Sequence, residues 1–168
     1  MSKNNHIQRP TQRCDQAPNA GDTSLIALNL SAMDYAILMA ARYFFTSFAD
    51  PNGAAWVSVV LSSDDFFPGH HDSPRMVQAV LALVHEIRTS RRSTLRFSSP
   101  HCLDCVNIVT AAERHLTAII QDMRAGRFSS ATTHAMLLCE GHEIKGVLDA
   151  AERLLGTSGN SEFCAAKS

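Results

Sequence analysis

The stretch Ser73-Pro74-Arg75-Met76-Val77-Gln78-Ala79-Val80-Leu81-Ala82-Leu83-Val84-His85-Glu86-Ile87-Arg88 decides the fold class. Met76, Val77, Val80, Leu81, Val84 and Ile87 recur at steps of three and four, which is the apolar stripe of an amphipathic helix. Ser73 is placed to cap that helix. Pro74 then takes the first helical position, where its missing amide donor costs nothing. Arg88, Arg91 and Arg92 follow the stripe and suit the negative end of the helix dipole.

The same logic extends towards the N-terminus. Residues 62–72 read as a loop, and the short apolar run Ala54 to Leu61 before it reads as helix on its two alanines, with Asn52 as cap. The turn Asp50-Pro51-Asn52-Gly53 ends a longer helix, because Pro fixes one dihedral and Gly tolerates a left-handed one. That helix opens with Ser31 and Asp34, a capping arrangement, and carries Met33, Ile37, Ala40, Ala41, Phe44, Phe45 and Phe48 on one stripe. Residues 1–24, rich in Asn, Gln and Pro, have too few apolar side chains to offset the entropy of ordering, so they are expected as a disordered tail.

Towards the C-terminus, Ser93 to Phe97 reads as an extended piece leading into Pro100-His101-Cys102-Leu103-Asp104-Cys105. Thr110 and Glu113 form a second capping box. The helix they start turns Ala112, Leu116, Ile119, Ile120 and Met123 inward and ends at Gly126. A last helix is expected from Ser129 or Ser130 to Leu155, interrupted by Gly141, and forms an antiparallel hairpin with its predecessor. Residues 157–168 read as a polar, disordered tail. The fold expected is all-α: a small bundle of four or five helices within residues 25–156, with a CxxC turn before the penultimate helix.

Composition narrows the function. Fifteen basic residues against sixteen acidic ones give a net charge of -1, so no global charge draws the chain to nucleic acid or to an anionic membrane. The start of the chain has no apolar segment of a secretory signal, and no run approaches a membrane span, so a cytoplasmic location without membrane contact is expected. In a reducing compartment five cysteines, an odd number, serve as thiols or ligands more often than as structural disulfides.

Four of the side chains have the chemistry of a structural zinc site. Cys102 and Cys105 sit three apart in a turn, where two sulfurs reach one ion. Cys139 and His142, three apart on the expected last helix, would share a face and complete a tetrahedron. The segment from Cys102 through Thr110 to Glu113 resembles a generic zinc knuckle feeding a helix, a turn type and not a family. His101 is an alternative to His142, and His134 a poorer one. His115, beside Glu113 and Arg114, reads as a solvated surface residue, and His70-His71-Asp72 as an exposed loop whose rings splay apart. Glu140 and Glu143 flank His142 and read as a solvated helix edge.

Phosphate loops, nucleophile elbows and zinc-protease motifs are all missing from the sequence. The function expected is therefore a non-enzymatic regulatory or adaptor protein with a structural zinc ion, acting on a protein partner. The wide apolar face at Tyr43 to Phe45 and Phe48 suits a homodimer. Two alternatives stand beside it. One is a thiol redox sensor using Cys102 and Cys105. The other is a nucleic-acid-binding regulator using Arg88, Arg91, Arg92 and Arg96, for which dipole compensation at a helix end is the plainer explanation.

Overall fold

The computed structural model describes residues 19–159. Cys14, Cys164 and most of the two expected tails lie outside the described residues. Seven α-helices are present among the described residues: α1 (Ala32–Ala49), α2 (Ala55–Leu61), α3 (Ser63–Phe66), α4 (Ser73–Ser90), α5 (Ala111–Arg124), α6 (Phe128–Leu138) and α7 (Lys145–Gly159), with a 3-10 turn at Ile26–Leu28 before them. β1 (Thr23–Ser24) pairs antiparallel with β2 (Ile108–Val109), Thr23 opposite Val109. The protein is mostly helical, as the periodicity requires. The boundary expected at residue 24 falls later than the onset of structure, since Asp22 accepts from Arg96 Nη1 at 2.6 Å and Thr23 is already in a strand.

Local capping explains where the helices begin. Ser31 Oγ accepts from Asp34 N at 3.1 Å, while the Asp34 carboxylate, instead of reaching back to an amide, takes the Ser31 hydroxyl and Arg124 Nη1. α2 has no cap of its own, from Asn52 or otherwise; Trp56 N donates to Ser47 Oγ of α1 at 2.8 Å. At α4 the cap is Asp72, whose Oδ1 accepts from Arg75 N, and not Ser73. Ser73 is buried, and its hydroxyl donates to the carbonyls of Phe67 and His70, which displaces Pro74 to the second helical position. The loop expected over 62–72 contains α3, with Asp64 and Asp65 in its first turn.

The single helix expected from Ser129 to Leu155 is two helices. α6 stops at Cys139 because Glu140 and Gly141 both adopt positive φ, 59° and 75°. Gly141 N reaches back to Met136 O and Glu140 N to Leu137 O, a Schellman ending with Glu140 in the left-handed position that glycine usually fills. α5 ends the same way with Gly126 in that position, as its sequence predicts. The cysteine turn therefore precedes the third helix from the end.

Packing follows the apolar stripes. α5 lies along α6, α4 lies along α7, and α1 is set against α4 and α5. Phe44, Ile37 and Ala40 of α1 meet Val80, Val84 and Ile87 of α4, Leu116 and Ile119 of α5, and Leu154 of α7 in one core. Two members of the expected stripes are not in it: Phe48 and Leu81 are each 38% exposed. Among the described residues no helix is long and apolar enough to cross a membrane.

Candidate functional site

The cysteine turn is held by a buried ion pair. Arg42 of α1 and Glu113 of α5 are almost fully buried, and Arg42 Nε donates to Glu113 Oε1 at 2.8 Å. Arg42 Nη2 donates to Glu113 Oε2 and to Ile108 O, and Nη1 donates to Val106 O at 2.6 Å and contacts Met39 Sδ. All five guanidinium hydrogens are thereby used. Glu113 also accepts from Ser98 N at 3.0 Å and from Thr110 N at 2.8 Å, the second being its half of the capping box. A buried charge pair is tolerable only when its remaining donors and acceptors are satisfied, and here they are. The result fastens residues 98–110 to two helices at once.

The turn places Cys102 and Cys105 together. The Cys102 thiol donates to Cys105 Sγ at 3.0 Å, and Cys105 N donates to Cys102 Sγ. Cys102 is half-buried and Cys105 is buried. His101 is exposed and sets its ring edge-on to Tyr43, 5.0 Å between centroids.

The other two expected ligands do not join them. Cys139 is the C-cap of α6, fully buried beside Ser90, the last residue of α4, and Arg91, its C-cap. Burial, above all, pushes its thiol pKa up. His142 lies past the left-handed pair, its backbone N donating to Cys139 O, so the two residues do not share a helical face. Among the described residues no three His, Cys, Asp or Glu side chains converge to hold a metal ion.

The exposed members of the expected stripes build a different feature. Phe48 of α1, Trp56 and Val60 of α2 and Leu81 of α4 line an apolar groove of about 770 Å³, floored by Phe44 and edged by His85 and Glu86. Trp56, the single tryptophan of the chain, is 49% exposed and Val60 46%. The guanidinium of Arg88 covers one side of the Phe48 ring, 4.6 Å from its centroid. The groove exists because α2 is too short to cover the end of α1 and the outer row of α4. Periodicity counted Phe48 and Leu81 as core, since it cannot register where a neighbouring helix stops.

The arginine group is largely committed. Arg91 donates to Leu138 O and pairs with Glu140 at 2.8 Å, and Arg96 pairs with Asp22. Glu140 is held by Arg91 and Ser93 and Glu143 accepts from Lys145 N, so neither orients His142. The adjacent histidines do not splay: His70 and His71 stack at 5.0 Å, with His70 buried and its Nε2 at Thr157 O. Nor is His115 a solvated residue. It is half-buried with Nδ1 2.9 Å from Nδ1 of His134, and burial first, then His134 and Arg114, lower its pKa and favour the neutral ring.

Sequence reasoning passed over Arg42. Its signal was present: Leu38 and Phe45 put it within the apolar stripe of α1. Comparison with protein-family models, with curated proteins and with solved structures found no match.

Proposed function

We propose that this chain is a non-enzymatic regulatory or adaptor protein that receives an apolar segment of a protein partner in the groove between α1, α2 and α4. The observation that supports this is the set Phe48, Trp56, Val60 and Leu81, four large apolar side chains exposed around one concave surface. Single exposed apolar residues are ordinary, but a contiguous set of them around a groove marks an interaction site. An amphipathic helix laid in such a groove would anchor through side chains spaced three and four apart. A second copy of the chain is one such partner.

Site-specific crosslinking tests it. A photoreactive phenylalanine analogue at Val60 should give one crosslinked species in cells, which disappears when Leu81→Asp is added. Self-crosslinking would identify the partner as a second copy. The same analogue at Met136, half exposed on α6, is the comparison. Crosslinks from Met136 but none from Val60 would defeat the reading.

Of the expected zinc ligands only Cys102 is a free thiol in the cysteine turn, since Cys105 is disulfide-bonded, so zinc there would need that disulfide reduced and its remaining positions supplied from elsewhere. Metal content of purified chain against Cys102→Ser checks that contribution. A thiol redox sensor is the second reading, favoured by the 3.0 Å approach of the free Cys102 Sγ to the disulfide-bonded Cys105 Sγ, where attack would form a Cys102–Cys105 bond and release the other thiol. It requires a change of disulfide-linked peptides under mild oxidation or reduction that Cys102→Ser lacks.

A further inference from the structure

We propose that Arg75 and Arg153 bind a dianionic phosphate group in a polar pocket between α4 and the second half of α7, with His71 on its wall as a further donor. The site is separate from the cysteine turn and does not depend on a partner in the apolar groove.

Antiparallel packing of the two helices brings the arginines to one place. Gly146, near the start of α7, lies against Glu86 near the end of α4, while Thr157, near the end of α7, lies against His70, just before α4. Arg75 in the first turn of α4 and Arg153 in the second half of α7 therefore line the same pocket, of about 430 Å³. That volume falls among sites for small molecules, which run from about 300 to 1,000 Å³. The hollow exists because α7 carries a glycine there: a Cβ added at Gly156 would meet nothing within 4 Å.

These two arginines differ from most others in the chain by being unpaired. Arg42, Arg91, Arg96, Arg124 and Arg127 each hold a carboxylate. Neither the Arg75 nor the Arg153 guanidinium has a hydrogen bond or an ion pair among the described residues. A guanidinium presents its donors as a planar fork that matches phosphate oxygens two at a time. Two such forks on separate helices suit a group with close to two negative charges and three strong acceptor oxygens.

The lining carboxylate, Asp72, leaves the balance positive, since two guanidiniums stand against it and its Oδ1 is turned to Arg75 N as the cap of α4. The wall on this side is fixed. Asp72 N donates to His70 Nδ1 at 3.1 Å, so the hydrogen of that ring is on Nε2, which donates to Thr157 O at 3.2 Å. His71 stacks on the His70 ring, and its own nitrogens make no hydrogen bond among the described residues, which leaves them open to the ligand.

The test titrates the full chain with inorganic phosphate, and separately with glucose 6-phosphate, at constant ionic strength and about pH 7.5, where the phosphate group carries close to two charges. Amide resonances followed by NMR should show saturable shifts centred on Arg75, Arg153 and Thr157. Arg75→Gln and Arg153→Gln should each weaken binding about tenfold or more, the loss expected for one charge-assisted contact. Gly156→Leu keeps both charges but fills the hollow, and should abolish binding without lowering thermal stability. Tighter binding of the sugar phosphate than of the free ion would identify a phosphomonoester as the ligand; the opposite order would identify the free anion. Shifts centred on other basic residues, shifts that rise without saturating, or the same shifts with chloride would overturn the proposal. So would an affinity unchanged by either arginine variant or by Gly156→Leu.

Discussion

Replacing Arg42 by Met tests the account of what holds the cysteine turn. Methionine fills much of the same volume but donates nothing. Glu113 would lose two of its four hydrogen bonds and its ion-pair partner, and the carbonyls of Val106 and Ile108 would lose the donors at 2.6 and 2.7 Å. Removing one partner of a buried pair costs about 3 to 5 kcal/mol, because the other charge is left uncompensated. Domains of this size have about 5 to 15 kcal/mol to lose, so the variant should fold but unfold far earlier in urea. At a slope of about 1 to 3 kcal/mol per molar urea the midpoint should fall by roughly 2 M. Glu113→Gln should cost a similar amount from the other side. The double variant should be well short of the sum, by about 2 kcal/mol or more, since the glutamine amide can donate to Ile108 O and no lone charge remains buried. Circular dichroism of the four proteins in urea supplies the cycle, and hydrogen exchange at Ser98 and Thr110 reports on the turn itself. Single variants that each cost less than about 1 kcal/mol, or costs that add, would refute the reasoning.

Other consequences follow from the same geometry. Cys102, half-buried, should react with iodoacetamide in native protein, whereas Cys139, whose thiol burial keeps protonated, should react only at the rate of unfolding; mass spectrometry of timed quenches distinguishes the two. The hydrogen bond from Arg96 holds the Asp22 carboxyl below its ordinary pKa. Its contribution is therefore full above about pH 4, the unfolded value, and is lost as pH falls from there through the lower folded value. Asp22→Asn should flatten that part of the acid-unfolding profile and leave the neutral region parallel to wild type; an unchanged acid limb would contradict the assignment. At Glu140, φ is 59° and the carboxylate grips Arg91 and Ser93, so Glu140→Ala keeps the strained backbone and loses the grip. Glu140→Gly loses the grip but relaxes the backbone, and should melt above Glu140→Ala in a thermal scan. The reverse order would show that the left-handed turn is not strained.

Helix positions were legible in the sequence because they depend on neighbours within a few residues. The stripe of α4 and the Thr110–Glu113 box appear in the structure, as does the glycine end of α5. The error at α6 and α7 has a physical source. Glycine at 141 signals a weak point but does not say whether the chain bends or stops, and the stop is made by Glu140 in a left-handed conformation supported by Arg91, 49 residues away. With that stop, Cys139 and His142 cease to share a face.

The sequence by itself determined the helical class, most helix limits and the closeness of Cys102 to Cys105, all consequences of spacing along one chain. Tertiary structure alone decided what each face meets. It turned Phe48 and Leu81 outward because α2 ends before covering them, enclosed Arg42 with Glu113 across 71 residues, and brought His115 to His134 across a hairpin. Those outcomes depend on the lengths and crossing of separate helices, and periodicity within one helix carries no information about where the next one ends.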